Sequence, residues 1–215
     1  MQTDDINLRT YADVMADYRR RYGQAHRAEM RMFGNPRQTL KEAIWRACMS
    51  QIPTKPGTRS KRHPHQRLIP NGVLSNAAAS LEEQENEIHA AADFAALHAL
   101  VAASIPGNKE LLIYDVAHRI GAYVGLRPVE VYLHAGTRKG VAGLGLNAAG
   151  KSLPMASLPE GLRDVEPAEA EDILCIYRIA LTRIRQGFAG SPTEVSACWS
   201  VDTQNTRRTL RSRCH

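Results

Sequence analysis

The sequence predicts an all-α, compact multi-helix domain, and three observations carry that prediction. Apolar residues recur at three- and four-residue spacing along most of the chain, the repeat of a helix with one buried face. Residues that start and end helices stand at the borders of those periodic stretches. Neither a series of alternating strands nor an internal repeat is evident. With 215 residues, 43% hydrophobic and 23% charged, the chain suffices for one helical domain, expected over 1–187, followed by an irregular basic tail, 188–215.

From Asp4 to Tyr22 the stripe Ile6, Tyr11, Val14, Met15, Tyr18 and Tyr22 has charges opposite it. Pro36 suits the first turn of a second helix carrying Leu40, Ala43, Ile44, Ala47 and Cys48. Residues 52–70 hold three prolines with intervening cations besides the bordering Pro70 and read as a loop. Val73 to His89 is rich in Ala, Glu and Gln and predicts a helix. Asp93 caps another, bearing Phe94, Leu97, Leu100 and Val101. Ile105 to Asn108 is a tight turn before a helix from Glu110 to Val124, and Arg127-Pro128 breaks the chain. Val129 to Leu133 is short and extended or helical. Four glycines between Gly136 and Leu146 predict a short, closely packed helix. Lys151 to Leu162 reads as a loop. Pro167 to Gln186 predicts a long helix with acids first and arginines last, as the helix dipole favours.

Charge narrows the function classes. The net charge is +6, and between Ala43 and Leu81 there are six Lys or Arg residues and no acid. The last nine residues add four arginines, whereas Leu68 to Gln186 holds ten basic and fourteen acidic side chains. One basic loop and one basic tail on a slightly acidic body suit a polyanion, nucleic acid first and DNA before RNA. No run approaches the ~18 apolar residues of a membrane span, and the N-terminal residues lack a secretory pattern. Four scattered cysteines without a C-x-x-C pair point to a reduced, cytoplasmic protein. The oligomeric state is left open.

The segment SIPGNKELLIYDVAHRIG runs from a helix end through a Pro-Gly turn and Lys109 into a helix. Amides at such a helix start, with the positive end of its dipole, bind a phosphate without reading base sequence. The segment resembles the helix-hairpin-helix element of DNA-binding proteins, most of all the helix-hairpin-helix base-excision DNA glycosylases. Their hairpin has the form P-G-h-G, and a segment h-D-x-H some twenty residues on carries the catalytic aspartate. Val131 to His134 falls near that second place, and the likeness covers about a quarter of the chain, Phe94 to Leu146. The resemblance implies backbone contacts from Gly107, Asn108, Lys109, Arg138 and Lys139, joined by Lys55, Arg59, Lys61, Arg62, His65 and Arg67 of the basic loop. It also implies an alternative activity, excision of a flipped base. There the departures count: Lys109 replaces the second glycine, Leu111 replaces the Schiff-base lysine, and Tyr132 replaces the aspartate. A phenol with a pKa of about 10 does not substitute for a carboxylate. Asp115, Glu130, Tyr132 and His134 are therefore the candidate catalytic residues, with Asp115 or Glu130 as a displaced carboxylate. The iron–sulfur cysteines of some relatives are absent, and no cofactor is expected.

Other features admit two readings. His63 and His65 have H-x-H ligand spacing, but a third ligand must come from far along the chain and five neighbouring cations oppose a divalent ion. No metal is expected, and both rings are read as phosphate-facing. Asp115 pairs locally with His118 and Arg119 or stands buried as an organising carboxylate. His134 serves a polar site or a structural hydrogen bond. Gly143-Leu144-Gly145 lacks the preceding strand of a nucleotide loop, and Cys175 reads as a core side chain. A third class, a helical adaptor for protein partners, calls for exposed apolar area on the first two helices.

Overall fold

Thr10 opens the first helix, α1 (Tyr11–Tyr18), with a capping box: its hydroxyl accepts from the Asp13 amide at 3.1 Å, and the Asp13 carboxylate accepts from the Thr10 amide at 2.9 Å. The computed structural model describes residues 8–52, 61–107 and 109–187, and these are mostly helical. A π-helical turn, Arg19–Gly23, joins α1 to α2 (Gln24–Phe33), so the expected single first helix has an expanded ring in it. α3 (Leu40–Cys48) starts with a second capping box, Thr39 with Glu42. Two short strands, β1 (Gln51–Ile52) and β2 (Lys61–Arg62), pair antiparallel at the ends of the basic loop.

After a 3-10 turn at Pro64–Gln66 come α4 (Asn71–Glu82) and α5 (Glu85–Ala90), the expected Val73–His89 helix divided in two. The Asp93 side chain accepts from the Ala96 amide at 2.8 Å and opens α6 (Phe94–Ser104). α7 (Glu110–Val124) stops at Gly125, whose φ of +81° is one that L side chains rarely adopt. The undecided segment is a strand, β3 (Glu130–Tyr132), paired with β4 (Ser152–Pro154) in what was expected to be loop. Between them lies α8 (Ala135–Gly143). The expected last helix breaks at Tyr177 into α9 (Pro167–Ile176) and α10 (Arg178–Arg185). The Tyr177 hydroxyl donates to Asp17 at 2.8 Å, and this long-range anchor fits the break.

The apolar side chains form two clusters. One gathers Phe33 with residues of α3, α4, α6 and α7, including Ile44, Leu74, Leu97 and Ile120. The other gathers α1, β3, α8, α9 and α10 around Tyr18, Val131, Leu174 and Leu181. Between them α2, α7 and α9 present their polar side chains to one another. Among the described residues no helix is long and apolar enough to cross a membrane. Large exposed apolar side chains among them are Trp45, Leu68, Val129 and Ile179, none on α1 or α2.

Candidate functional site

The seam between the two cores is built from ionisable side chains. α2 supplies His26 and Glu29, at i and i+3 on one face; α7 supplies Asp115, His118 and Arg119; α9 supplies Glu171, Asp172 and Cys175. His63 and His65 arrive from the segment after β2, and the group encloses a cavity of about 40 Å³. Unpaired buried charges cost several kcal/mol each, so the pairings within the seam define it.

Tyr18 donates to Asp172 Oδ2 at 2.6 Å, and His26 Nδ1 lies 3.2 Å from the same oxygen. Burial, the largest single influence on each partner, opposes both charges. The hydrogen bond and mutual attraction outweigh it, holding His26 above the usual imidazole range and Asp172 below the usual carboxylate range. The His118 ring sits 5.6 Å from that of His26. Burial and the neighbouring His26 charge push His118 down to about 3. Within this pair the proton is thus favoured on His26 and disfavoured on His118.

Arg119 Nε donates to Glu29 Oε1 at 2.8 Å, with both side chains nearly inaccessible. Its partner is Glu29, not Asp115 as local spacing suggests. His134 Nδ1 accepts from the Gly136 amide at 3.2 Å, so the ring proton sits on Nε2, which bonds Glu171. Thr137 donates to the same Glu171 oxygen at 3.0 Å, and burial raises the Glu171 carboxyl. Asp115 accepts from Gln66 Nε2. The ligand atoms of His63, His65 and Asp115 all lie within 4.8 Å of one another. Among the described residues, Tyr114 Oη, Arg119 Nη1 and Gln66 Oε1 are buried without a hydrogen-bond partner.

His26 and His118 also border a second, larger space: a groove of about 620 Å³ between α2, the C-terminal end of α7 and the start of α9. Arg27, Arg31 and Arg127 on its rim are exposed, and none forms an ion pair among the described residues. Glu166 and Glu169 line it as well.

The predicted catalytic residues are distributed differently. Asp115 borders the cavity. His134 caps α8 and holds Glu171. Tyr132 packs among Phe94, His98 and Tyr114 at ring distances of 5.1, 4.5 and 5.8 Å. Glu130 accepts from Ser152 at 2.5 Å on the β3–β4 ribbon. Several predicted phosphate contacts are engaged within the fold. Arg62 donates to the Ile69 carbonyl and to Asn71. Arg138 pairs with Glu110 at 2.8 Å and also donates to the Ala148 and Gly150 carbonyls. Lys109 Nζ donates to the Pro106 carbonyl at 2.6 Å. Arg67, Lys139 and the Pro106–Gly107 corner are exposed, and Gly107 has a φ of +82°. Lys55, Arg59, Asn108 and the tail fall outside the described residues, and the Lys61 side chain is likewise undescribed.

Sequence reading missed His26, Glu29, Glu171 and Asp172 as a group. The available signals were H-x-x-E in α2 and D-x-x-H in α7, each placing two ionisable groups on one helix face. Comparison of the chain with protein-family models, curated proteins and solved structures finds no match.

Proposed function

We propose that the protein binds a phosphodiester-bearing ligand, a nucleic-acid strand before a free nucleotide, in the groove between α2, α7 and α9. His26 serves there as the proton-transferring residue. The observation that carries this reading is the position of His26, oriented by Asp172 at the border of the groove and the seam, beside three arginines without ion pairs. Guanidinium forks match phosphate oxygens in pairs. A histidine fixed by a carboxylate is the acid–base half of many catalytic sites. Because Asp172 favours the proton on His26, the ring is suited to act toward a bound phosphate as an acid or a cation. Base excision stays the alternative activity: Asp115, the member of the predicted catalytic set that borders the cavity, does not line the groove.

A second reading keeps the footprint at the helix-hairpin-helix-like corner. The exposure of Pro106 and Gly107 ahead of α7 favours it, as does the lack of a side-chain cap on that helix. The two sites flank opposite ends of a 15-residue helix, so charge reversal separates them. Binding of labelled single-stranded and duplex oligonucleotides is measured by anisotropy against salt. Reversal of Arg27, Arg31 and Arg127 to Glu weakens binding at least tenfold and flattens the salt slope, while reversal of Arg67 and Lys139 leaves it unchanged. The opposite pattern moves the footprint to the corner, and loss in neither set overturns both. Nucleoside monophosphate as competitor distinguishes the small ligand from the strand, and abasic-site release, with Asp115→Asn as control, reports base excision.

A further inference from the structure

We infer that His63, His65 and Asp115 form a binding site for one divalent transition-metal ion. This site is distinct from the groove and does not depend on what the groove binds.

The first ground is geometric. The three ligand atoms lie within 4.8 Å of one another, so that small side-chain rotations bring them to the ~3.4 Å spacing of a tetrahedral ion with metal–ligand bonds of about 2.0–2.2 Å. The ligands come from two places that the fold brings together. His63 and His65 flank Pro64 in the 3-10 turn, and Asp115 stands on α7. Two imidazoles and a carboxylate form a borderline donor set that selects Zn²⁺, Fe²⁺ and their neighbours over Mg²⁺ and Ca²⁺. Three protein ligands also leave a coordination position open, the pattern of catalytic sites.

The second ground is independent of the ligands. The adjoining cavity of about 40 Å³ exceeds the roughly 10–15 Å³ that one water needs but is too small for an organic molecule. Tyr114 Oη and Arg119 Nη1, buried on residues that line it, have no protein partner among the described residues, and neither does Gln66 Oε1. Tyr114 and Gln66 are 3% and 1% exposed. Buried polar groups left without partners are rare in folded proteins, and water on a bound ion would satisfy them. Gln66 already holds Asp115 from behind through its Nε2, the outer hydrogen bond that ligating carboxylates characteristically have.

Two features set the cost of occupancy. His63 Nδ1 accepts from the His65 amide at a long 3.3 Å, and a neutral ring that ligates an ion gives up this contact, either by ligating through Nδ1 or by carrying its proton there. Of the loop cations that oppose an ion in the sequence, Arg62 is turned to Ile69 and Asn71, and the Arg119 charge beside the site is paired with Glu29.

The test uses chelator-treated full-length protein titrated with Co²⁺ and read by visible absorption, with Zn²⁺ and Mg²⁺ as competitors. The expected result is one equivalent per chain, a band abolished by Zn²⁺ and untouched by Mg²⁺, and affinity at least tenfold weaker in both His65→Gln and Asp115→Asn. Far-UV circular dichroism verifies that each variant folds, and His65, which is partly exposed, tolerates replacement even if Asp115 does not. Absence of uptake by the wild-type protein overturns the site. So does uptake that both folded variants retain, because the ion then sits elsewhere.

Discussion

Asp172 fixes the state of His26. Replacing Asp172 by Asn leaves the ring buried without its counter-charge, and burial then lowers its titration instead of raising it. Imidazole NMR of that variant is expected to show His26 titrating below about 6.5, the ordinary value. The pair's stabilisation has a definite window. Asp172, held low, contributes above about 3.9, and His26, held high, contributes fully below about 6.5 and loses that contribution as pH rises through its own folded value. His118 works the other way. It faces His26 from α2, Phe94 from α6, Asp172 from α9, Arg127, and Tyr114 and Arg119 on its own helix. Pushed down to about 3, it stays neutral in the fold while the unfolded chain takes up a proton, so stability falls below about pH 6.5. His118→Leu is therefore expected to flatten the loss of urea midpoint between pH 7 and 4; an unchanged slope shows that His118 does not set it. The sequence shows His63 and His65 through their H-x-H spacing and singles out Asp115 separately, but nothing in it joins the three, and it argues against a metal there. It hides His26 and Asp172, because an acid in a helix's first turns reads as a solvated dipole partner, and their contact is made only by the fold.

Among helix starts, Asp93 carries capping chemistry that the sequence reading uses, while the capping boxes of Thr10 and Thr39 begin α1 and α3 later than the expected Asp4 and Pro36. Starts are thus partly legible. Breaks are not. The division at Tyr177 coincides with a hydrogen bond to Asp17 from another helix, and no local residue announces it. The short strands β3 and β4 are similarly set by pairing partners that periodicity does not reveal. The glycine-rich segment is an exception: its composition predicts close packing, and a Cβ on Gly140 of α8 would stand 2.1 Å from the Leu174 carbonyl oxygen of α9. Gly140→Ala is expected to cost about 1–3 kcal/mol, lowering Tm by several degrees at roughly 2–4 °C per kcal/mol. A Tm within one degree of wild type contradicts that packing. Because α9 also positions Glu171 and Asp172, the variant should loosen the seam with the helix pair.

At the scale of the whole molecule, two apolar cores press a belt of ionisable side chains between them. Apolar patterning makes the cores legible but not their separation, since helix stripes show which residues are buried and not against which partner. The charge map was legible in a similar, partial way. The basic loop stands out in the sequence, yet the arginines beside the groove, two on the mixed-charge α2 and one just after α7, acquire meaning only from the space they border. Fold and site are joined at His26, which touches both the belt and the groove. The most direct test is long-range imidazole NMR of the full-length protein across pH, without and with a short oligonucleotide. The account predicts that His26 keeps its proton above pH 6.5 and that, at fixed pH, adding the oligonucleotide moves its resonances and not those of exposed His89. A His26 that titrates at or below 6.5, and whose resonances ignore the oligonucleotide, contradicts it.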